Sequence, residues 1–252
     1  MPAKFALSLA AVDVLSEWLE VDVRQFPLNI PFFGDYIEDR TRIADAVWAD
    51  MEHRGLAPGG KLHPDVSDAL TVLARYEIGV AILGTSGDEE IRARAGVAGN
   101  HGAIARLGEN LVDFELIRPE SLVGTMVGLL PDARPGPGRS TTITTEVSTV
   151  DDESDGIMVS ANASRNTAGG KLRASGIAID QPHTGAGFFL ITTRDGMGRQ
   201  ATAPSLSWFD IDAGRYVAVE HPARPDTPAS STIAPSDNSR IAGHLQRMLN
   251  SL

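Results

Sequence analysis

The sequence predicts an α+β fold, in which two related halves of a single body share a central antiparallel β-sheet with pseudo-twofold symmetry. The first observation behind this prediction is that four strand-like segments lie within residues 77–117 and four more within residues 187–220. A meander with one helical layer buries only one of its faces, so two such units favour pairing into a longer sheet. The alternative is two independent α+β domains on a linker.

The second observation is an internal repeat. The tetrapeptide GGKL precedes each strand run, at 59–62 and at 169–172. Each run ends in an isoleucine two residues before a proline, and Pro119 and Pro235 are each predicted to open an amphipathic helix. Corresponding landmarks are about 110 residues apart. The repeat divides a single domain over 1–252 into a first half over 1–130, a linker over 131–140 and a second half over 141–252.

The first half is predicted to contain one strand, three helices, a four-strand meander and a closing helix. Capping-box spacing of Asp35 and Glu38 indicates one helix start, Gly55 suits its end, and Pro64 suits the first turn of the next helix. Alternating apolar residues indicate the strands. In order, the predicted segments are a strand over 5–9, a helix over 10–20, an extended stretch over 26–33, helices from Asp35 and Pro64, strands over 77–84, 90–98, 103–107 and 111–117, and a helix from Pro119.

The second half follows the linker PDARPGPGRS, whose three prolines and two glycines predict an extended connection. Its strongest signal is PSLSWFDIDAGRYVAV at 204–219, a predicted hairpin whose aromatic side chains lie mostly in the core. The other predicted segments are a strand-prone stretch over 140–150, an acidic turn over 151–156, at most two weak helices over 157–180, strands over 187–193 and 197–202, a mobile connection over 221–232 and a last amphipathic helix.

Composition excludes several classes of function. The formal net charge of −11 argues against nucleic acid and against anionic membrane surfaces as partners, because both favour a basic face. The chain has no cysteine and its six histidines lack ligand spacing, so neither a metal nor another cofactor is expected. No stretch reaches the ~18 apolar residues of a membrane span. The short N-terminal apolar run stops at Asp13, so we expect a cytoplasmic protein without a signal peptide.

Two short motifs suggest chemistry but lack a required residue, and a third motif does not occur. GLAPGGKL at 55–62 has Leu62 where a phosphate-binding loop needs a hydroxyl side chain. DDESDG at 151–156 has Asn162 where a calcium loop needs a bidentate glutamate. No G-x-S-x-G nucleophile elbow occurs. Two carboxylates brought together by the fold could still act as acid and base, so a small-molecule hydrolase stays an alternative.

Several segments, taken in order, resemble the EspG family, the cytosolic secretion-associated chaperones of mycobacterial type VII (ESX) systems. They are AAVDVLSEWLEV, MEHRGL, HPDVSDALTVLAR, LLPDARPGPGRS, and above all LSWFDIDAGRYVAV followed by TIAPSDNSRIAGHLQRML. The resemblance implies a quasi-twofold body with a central antiparallel sheet and two α-helical bundles. It also implies a non-enzymatic chaperone that binds the apolar tip of the PPE subunit of a PE–PPE heterodimer, keeps the pair soluble and directs it to export.

The resemblance further implies that the partner meets the sheet, the loop between the first two strands of the first meander, and the C-terminal helices. In this chain that loop is 84–89. The implied partner-binding residues are Ser86, Gly87, Asp88 and Glu89 in the loop, and Ile241, Leu245 and Met248 on the last helix. Plain core packing is the alternative for the helix residues.

Two further expectations follow from this resemblance. The glycine-rich segment 157–180 departs from the helices usual in the family, so the client and its binding mode stay open. An exposed client-binding sheet also favours a homodimer when no client is present. An interaction module of the same fold with a different client is the other alternative function.

Overall fold

A computed structural model of the protein describes residues 4–144, 175–177, 181–223 and 225–252. Three predictions concern residues outside these ranges. They are the acidic turn at 151–156, the second GGKL at 169–172, and the weak helices predicted within 157–180, of which only 175–177 are described.

The strands in these ranges form one antiparallel sheet that spans both halves of the chain. They are β1 (Lys4–Ser8), β2 (Ile78–Ser86), β3 (Glu89–Ala98), β4 (His101–Leu107), β5 (Leu111–Ile117), β6 (Thr141–Thr144), β7 (Gly185–Arg194), β8 (Gln200–Thr202), β9 (Leu206–Ile211), β10 (Gly214–His221) and β11 (Ser230–Ser236). The order across the sheet is β1-β5-β4-β3-β2-β7-β9-β10-β11-β6, and β8 pairs with the end of β7. The predicted α+β class with a large antiparallel sheet is therefore confirmed.

The two halves join where β2 pairs with β7 along its whole length, from Ile78 opposite Thr193 to Ser86 opposite Gly185. Going outward from this junction, the strands of each half follow one another in chain order, β2 to β5 on one side and β7, β9, β10 and β11 on the other. The earliest strand of each half, β1 or β6, comes last and forms the outer edge. The core of the molecule is thus continuous across the junction, because apolar residues of β2, β3, β7 and β9 pack in one cluster.

Five helices lie on the two faces of the sheet within the described ranges. They are α1 (Leu9–Trp18), α2 (Ile37–His53), α3 (Pro64–Ala74), α4 (Leu122–Val127) and α5 (Asn238–Leu249). In β4, Ala103 and Ala105 pack with α1 to α3, whereas Ile104 between them packs with α4 and α5. Because side chains alternate across a strand, α1 to α3 cover one face, here named the front face, and α4 and α5 cover the other, the back face. None of these helices is long and apolar enough to cross a membrane.

The segment between α1 and α2 is anchored by the buried carboxylate of Asp13. This carboxylate accepts hydrogen bonds from the guanidinium groups of Arg24 and Arg40 and from the main-chain N–H of Phe33 at 3.1 Å. Several donors around one buried charge offset the cost of its desolvation. The same segment is held against β3, where Arg94 donates to the carbonyl of Phe26 at 2.8 Å. The irregular chain from 19 to 36 is thereby fixed across part of the front face.

The second meander differs from its prediction in two places. The strand predicted over 197–202 is the three-residue β8, which lies off the main path. Pro235 does not open the last helix but lies inside β11, opposite Tyr216 of β10. A proline fits there because the pairing of β11 with β6 has already ended at Ile233, so no neighbour on that side needs its missing N–H. The mobile connection predicted over 221–232 is wrong at both ends, because His221 belongs to β10 and residues 230–232 belong to β11.

Two helix starts also differ from their predictions. α5 begins at Asn238, where the side chain of Asp237 accepts from the N–H of Arg240 at 2.8 Å as an N-cap. α2 begins after Tyr36 without a side-chain cap, so the capping box predicted from Asp35 is wrong. At its other end, Gly55 follows the helix with a φ of +68°, as predicted for a glycine that ends a helix.

The segment predicted as a linker, 131–140, is bound to the second half. Arg215 of β10 donates its N–H to the carbonyl of Arg134 at 2.9 Å and accepts from the N–H of Gly136 at 3.0 Å. The hydroxyl of Tyr216 donates to the carbonyl of Pro137 at 2.7 Å. The connection between the halves is therefore held by hydrogen bonds along its course.

Candidate partner-binding surface

A half-exposed apolar surface lies on the front face where the two halves meet. Leu83 of β2 is directly opposite Phe188 of β7, and Phe188 is opposite Ser207 of β9, so these three side chains point to the same side. All three are only partly buried. Leu83, Phe188, Phe209 and the overlying Phe26 are here named the junction surface.

Aromatic stacking organises the junction surface. The ring of Phe26, 42% exposed, stacks on Phe188 with centroids 5.8 Å apart. One row further along the same face, Phe209 stacks between His183 at 5.1 Å and Tyr216 at 5.2 Å. Stacked rings present large rigid apolar areas with little conformational freedom to lose, which suits them to contact another protein.

The back face of the same strands is core. Trp208 of β9 is 1% exposed and packs in one apolar cluster with β2, β7 and α5. The guanidinium of Arg215 lies 5.3 Å from the indole and forms two hydrogen bonds of 2.7 Å with the carboxylate of Asp210. The aromatic hairpin at 204–219 is therefore mostly core, as predicted from the sequence, and Phe209 is its half-exposed aromatic side chain on the front face.

A polar rim borders the junction surface at the end of β2. β2 and β3 are joined by the two-residue turn Gly87-Asp88, and Ser86 pairs with Glu89, so the loop predicted over 84–89 is shorter than expected. Gly87 has a φ of +58°, a conformation that favours glycine. Asp88, Glu89 and Glu90 line a groove of about 650 Å³ between this turn and the turn that joins β4 to β5. An apolar centre with a polar edge is the usual anatomy of a protein interface.

The structure separates the two groups of predicted partner-binding residues. Gly87, Asp88 and Glu89 are exposed at the rim of the junction surface, and Ser86 is half-buried beside them. Ile241 and Leu245 are fully buried against the back face of the sheet. Met248 is half-buried and packs against the same cluster. Ile241 and Leu245 therefore hold α5 in place in this conformation and present no surface to a partner.

Sequence reasoning missed the apolar centre of this surface. Leu83 and Phe188 alternate with buried neighbours in their strands, so a period of two could have indicated that they lie on a different face from Ile82 and Phe189. No sequence signal could have placed Phe26, because its position depends on the long-range hydrogen bond from Arg94.

Two carboxyl groups of the described residues have a pKa below the ordinary carboxyl value. Burial alone would raise the pKa of Glu115, but hydrogen bonds from Lys4 and Arg106 outweigh burial and lower that pKa. The hydrogen bond from Arg199 lowers the pKa of Asp195. A general acid needs a raised pKa, so neither of these carboxyl groups is tuned for that role. Within the described ranges no three acidic or histidine side chains are placed to hold a metal ion.

Comparison with known proteins identifies a similar solved structure and a matching family. The structure is similar to the solved structure of the Mycobacterium tuberculosis type VII secretion system chaperone EspG5 in complex with a PE25–PPE41 dimer, with a TM-score of 0.68 and 16% sequence identity over 99% of this chain and 96% of the matched chain. No curated protein matches the sequence. The sequence model of the EspG family matches residues 8–247, nearly the whole chain. The chain therefore belongs to the EspG family.

Proposed function

We propose that this protein is a cytoplasmic type VII secretion chaperone that binds a PE–PPE heterodimer through the apolar tip of its PPE subunit. Binding would keep the pair soluble and direct it to export, without catalysis. The observation that carries this proposal is the junction surface, because a chaperone for an exposed apolar tip needs an apolar area with a polar rim. Family membership and the fold shared with EspG5 support the same client class.

The architecture gives the proposal a geometric basis. We propose that the two halves, 1–130 and 141–252, are related by a pseudo-twofold axis at the β2–β7 junction within one domain. The mirrored strand order on the two sides of this junction supports that relation. A junction surface on such an axis draws side chains from both halves, Phe26 and Leu83 from the first and Phe188 and Phe209 from the second. A helical bundle on each half remains part of the proposal.

Co-purification tests the proposed function directly. The chain is co-expressed with the PE–PPE pair encoded nearest its gene, and the mixture is separated by size exclusion with light scattering. We expect a discrete complex that contains one copy of each of the three chains. Separate elution of the chaperone and the pair would overturn the proposed client and favour a different client for the same fold.

The Phe188→Ser variant tests the surface itself. Removing a central aromatic contact from an interface costs about 2 kcal/mol or more, so we expect affinity for the pair to fall about thirty-fold. The control is Met197→Ser, because Met197 is also apolar and exposed (77%) but lies in the turn after β7, away from the junction surface. Wild-type affinity in a folded Phe188→Ser variant would contradict this placement of the client.

Alanine variants test the residues implied by the family resemblance. We expect Asp88→Ala and Met248→Ala to reduce affinity with little change in stability, because both side chains are at least partly exposed. Leu245→Ala should instead reduce stability, by about 2–5 kcal/mol, because that side chain is fully buried. Titration calorimetry and urea unfolding measure the two effects separately.

A further inference from the structure

Two arginine side chains converge on the buried ring of Tyr76, at the point where α3 leads into β2. The guanidinium of Arg94 lies 4.6 Å from the ring centroid and that of Arg194 lies 4.4 Å from it. Tyr76 is only 2% exposed, and its hydroxyl accepts from Thr192 at 3.1 Å. A third arginine, Arg75, is the neighbour of Tyr76 in the chain. Cation–π contact stabilises such guanidinium groups but does not neutralise them.

None of these three arginines forms an ion pair with any residue that the structure describes. Each donates to a main-chain carbonyl: Arg75 to Glu20 at 3.4 Å, Arg94 to Phe26 at 2.8 Å and Arg194 to Ala74 at 2.8 Å. Arg94 is 4% exposed, and its Nε has no hydrogen-bond partner. Burial lowers the pKa of Arg94, and the charge of Arg194 lowers it further. In a chain of formal charge −11, unpaired guanidinium groups at one place are unusual and call for an anion.

A cavity of about 460 Å³ opens beside this cluster, and Arg75, Tyr76 and Arg194 line it. Two carboxylates, those of Glu77 and Asp195, also line the cavity. Asp195 is already occupied by Arg199 at 2.7 Å and by the N–H groups of Met197 and Arg199. Glu77 accepts from the N–H of Gly99 at 3.3 Å. A guanidinium has five N–H donors, so Arg75 and Arg194 keep most of theirs for a ligand.

We propose that this cavity binds a small oxyanion, a phosphate or a carboxylate, between Arg75 and Arg194. Planar guanidinium groups bind both kinds of anion through paired hydrogen bonds, and Arg94 behind Tyr76 adds positive potential. The site lies at the start of β2, about 30 Å along the strand from the Gly87-Asp88 turn. Arg94 also holds Phe26 of the junction surface through its carbonyl, but Arg75 and Arg194 bond to the carbonyls of Glu20 and Ala74 instead. Failure of an anion to bind between Arg75 and Arg194 would therefore leave the proposed function untouched.

Nuclear magnetic resonance of the arginine Nε–H groups in the whole chain tests the site. Inorganic phosphate and citrate are titrated separately, with sodium chloride at matched ionic strength as the reference. We expect a saturable shift of the Arg194 and Arg94 signals with at least one of the two oxyanions, and the arm that saturates identifies the anion class. No saturable shift with either, or the same shift with chloride, would overturn the proposal.

Two variants test the residues. We expect Arg75→Gln and Arg194→Gln each to weaken binding about ten-fold, because each removes a charge-assisted donor pair. Arg75 is exposed, so its variant keeps the test decisive if Arg194→Gln fails to fold. The control is Arg118→Gln, which removes an exposed arginine that follows β5 and does not line the cavity, and it should leave binding unchanged. Unaltered binding in a folded Arg75→Gln variant would contradict the assignment, whether or not Arg194→Gln folds.

Discussion

The indole of Trp208 lies against three glycines of the neighbouring strands. A side chain built at Gly84, Gly185 or Gly187 would come within 3.1–3.2 Å of this ring, besides meeting the main chain opposite. Gly84 of β2 and the two glycines of HTGAGFF at 183–189 thus make room for Trp208, the largest fully buried side chain of the described core. Their low strand propensity is offset by the close packing that they permit.

The Gly187→Ala variant should therefore be destabilised, by about 1–3 kcal/mol. The added Cβ would lie 2.4 Å from the carbonyl oxygen of Leu83 and 2.7 Å from the Cα of Gly84, so two paired strands would have to move apart. Urea unfolding measures the free energy of unfolding of the variant and of the wild type. Gly196→Ala is the matched control, because a Cβ there meets nothing within 4 Å. Equal stability of the two variants would contradict the role given to these glycines.

The ion pair between Arg215 and Asp210 is a second feature at the scale of single residues that determines the stability of the fold. Arg215 is fully buried, and besides Asp210 it bonds the side chain of Asn238 at the start of α5. Asn238 in turn donates to the carbonyl of Leu130 at 3.3 Å. One buried guanidinium thus connects β9 and β10 with the beginning of α5 and, through Asn238, with the segment that follows α4.

Replacing Arg215 by glutamine should lower the free energy of unfolding by about 3–5 kcal/mol, because the carboxylate of Asp210 would stay inside without its counter-charge. Arg42→Gln serves as control, since Arg42 pairs with Asp39 on the exposed side of α2 and should change stability by less than about 1 kcal/mol. Chemical denaturation followed by circular dichroism measures both. A loss in Arg215→Gln no larger than in the control would argue against the network.

At the scale of elements, α5 makes the stability of the fold sensitive to pH. Burial lowers the pKa of His244 on this helix, and the charge of Arg247 one turn later lowers it further. The unfolded chain therefore binds a proton more readily than the folded chain. Stability from neutral His244 is present above pH ~6.5, the ordinary histidine value, and is lost as the pH falls toward the lower folded pKa.

We expect the His244→Gln variant to lose less stability than the wild type when the pH is lowered from 7.5 to 5.5. Urea midpoints at the two pH values measure this difference. His53→Gln, a change at an exposed histidine of α2, should leave the wild-type pH dependence unaltered. If the His244→Gln variant loses as much stability as the wild type between pH 7.5 and pH 5.5, the pH dependence comes from other groups.

The elements also differ in how far sequence predicts them. The first meander was predicted strand by strand, because apolar residues of β2 to β5 alternate or run continuously between clear turns. β11 was missed because SSTIAPS has only one large apolar residue and contains Pro235. Its stability comes from main-chain pairing with β10 and β6, which leaves little trace in the sequence. The junction surface was missed for a similar reason, since Phe26 is placed by contacts across the fold.

At the scale of the whole molecule, the β2–β7 junction should make the two halves unfold together. Main-chain pairing along the full length of β2, and an apolar cluster that crosses it, link the stability of each half to the other. The alternative considered from the sequence, two domains on a linker, would allow two separate transitions.

The three tryptophans allow this to be measured. Trp18 and Trp48 contact each other in the first half, with centroids 5.3 Å apart, and Trp208 lies in the second half. Fluorescence of Trp208→Phe reports the first half, and fluorescence of the Trp18→Phe/Trp48→Phe double variant reports the second. After correction for each variant's own stability by circular dichroism, we expect coincident urea transitions. Transitions at clearly different midpoints would contradict cooperative unfolding.

The guanidinium of Arg54, at the end of α2, donates to the carbonyl of Ala6 on β1 at 2.5 Å. β1 is the outermost strand at its end of the sheet, and Lys4 adds a charge there. Growth of a fibre by edge-to-edge strand addition requires two open edges on every copy. With the β1 edge blocked, such addition can proceed only through the β6 edge and stops at a pair of molecules. The contacts at β1 thereby protect the chain from polymerising through its own sheet at high concentration.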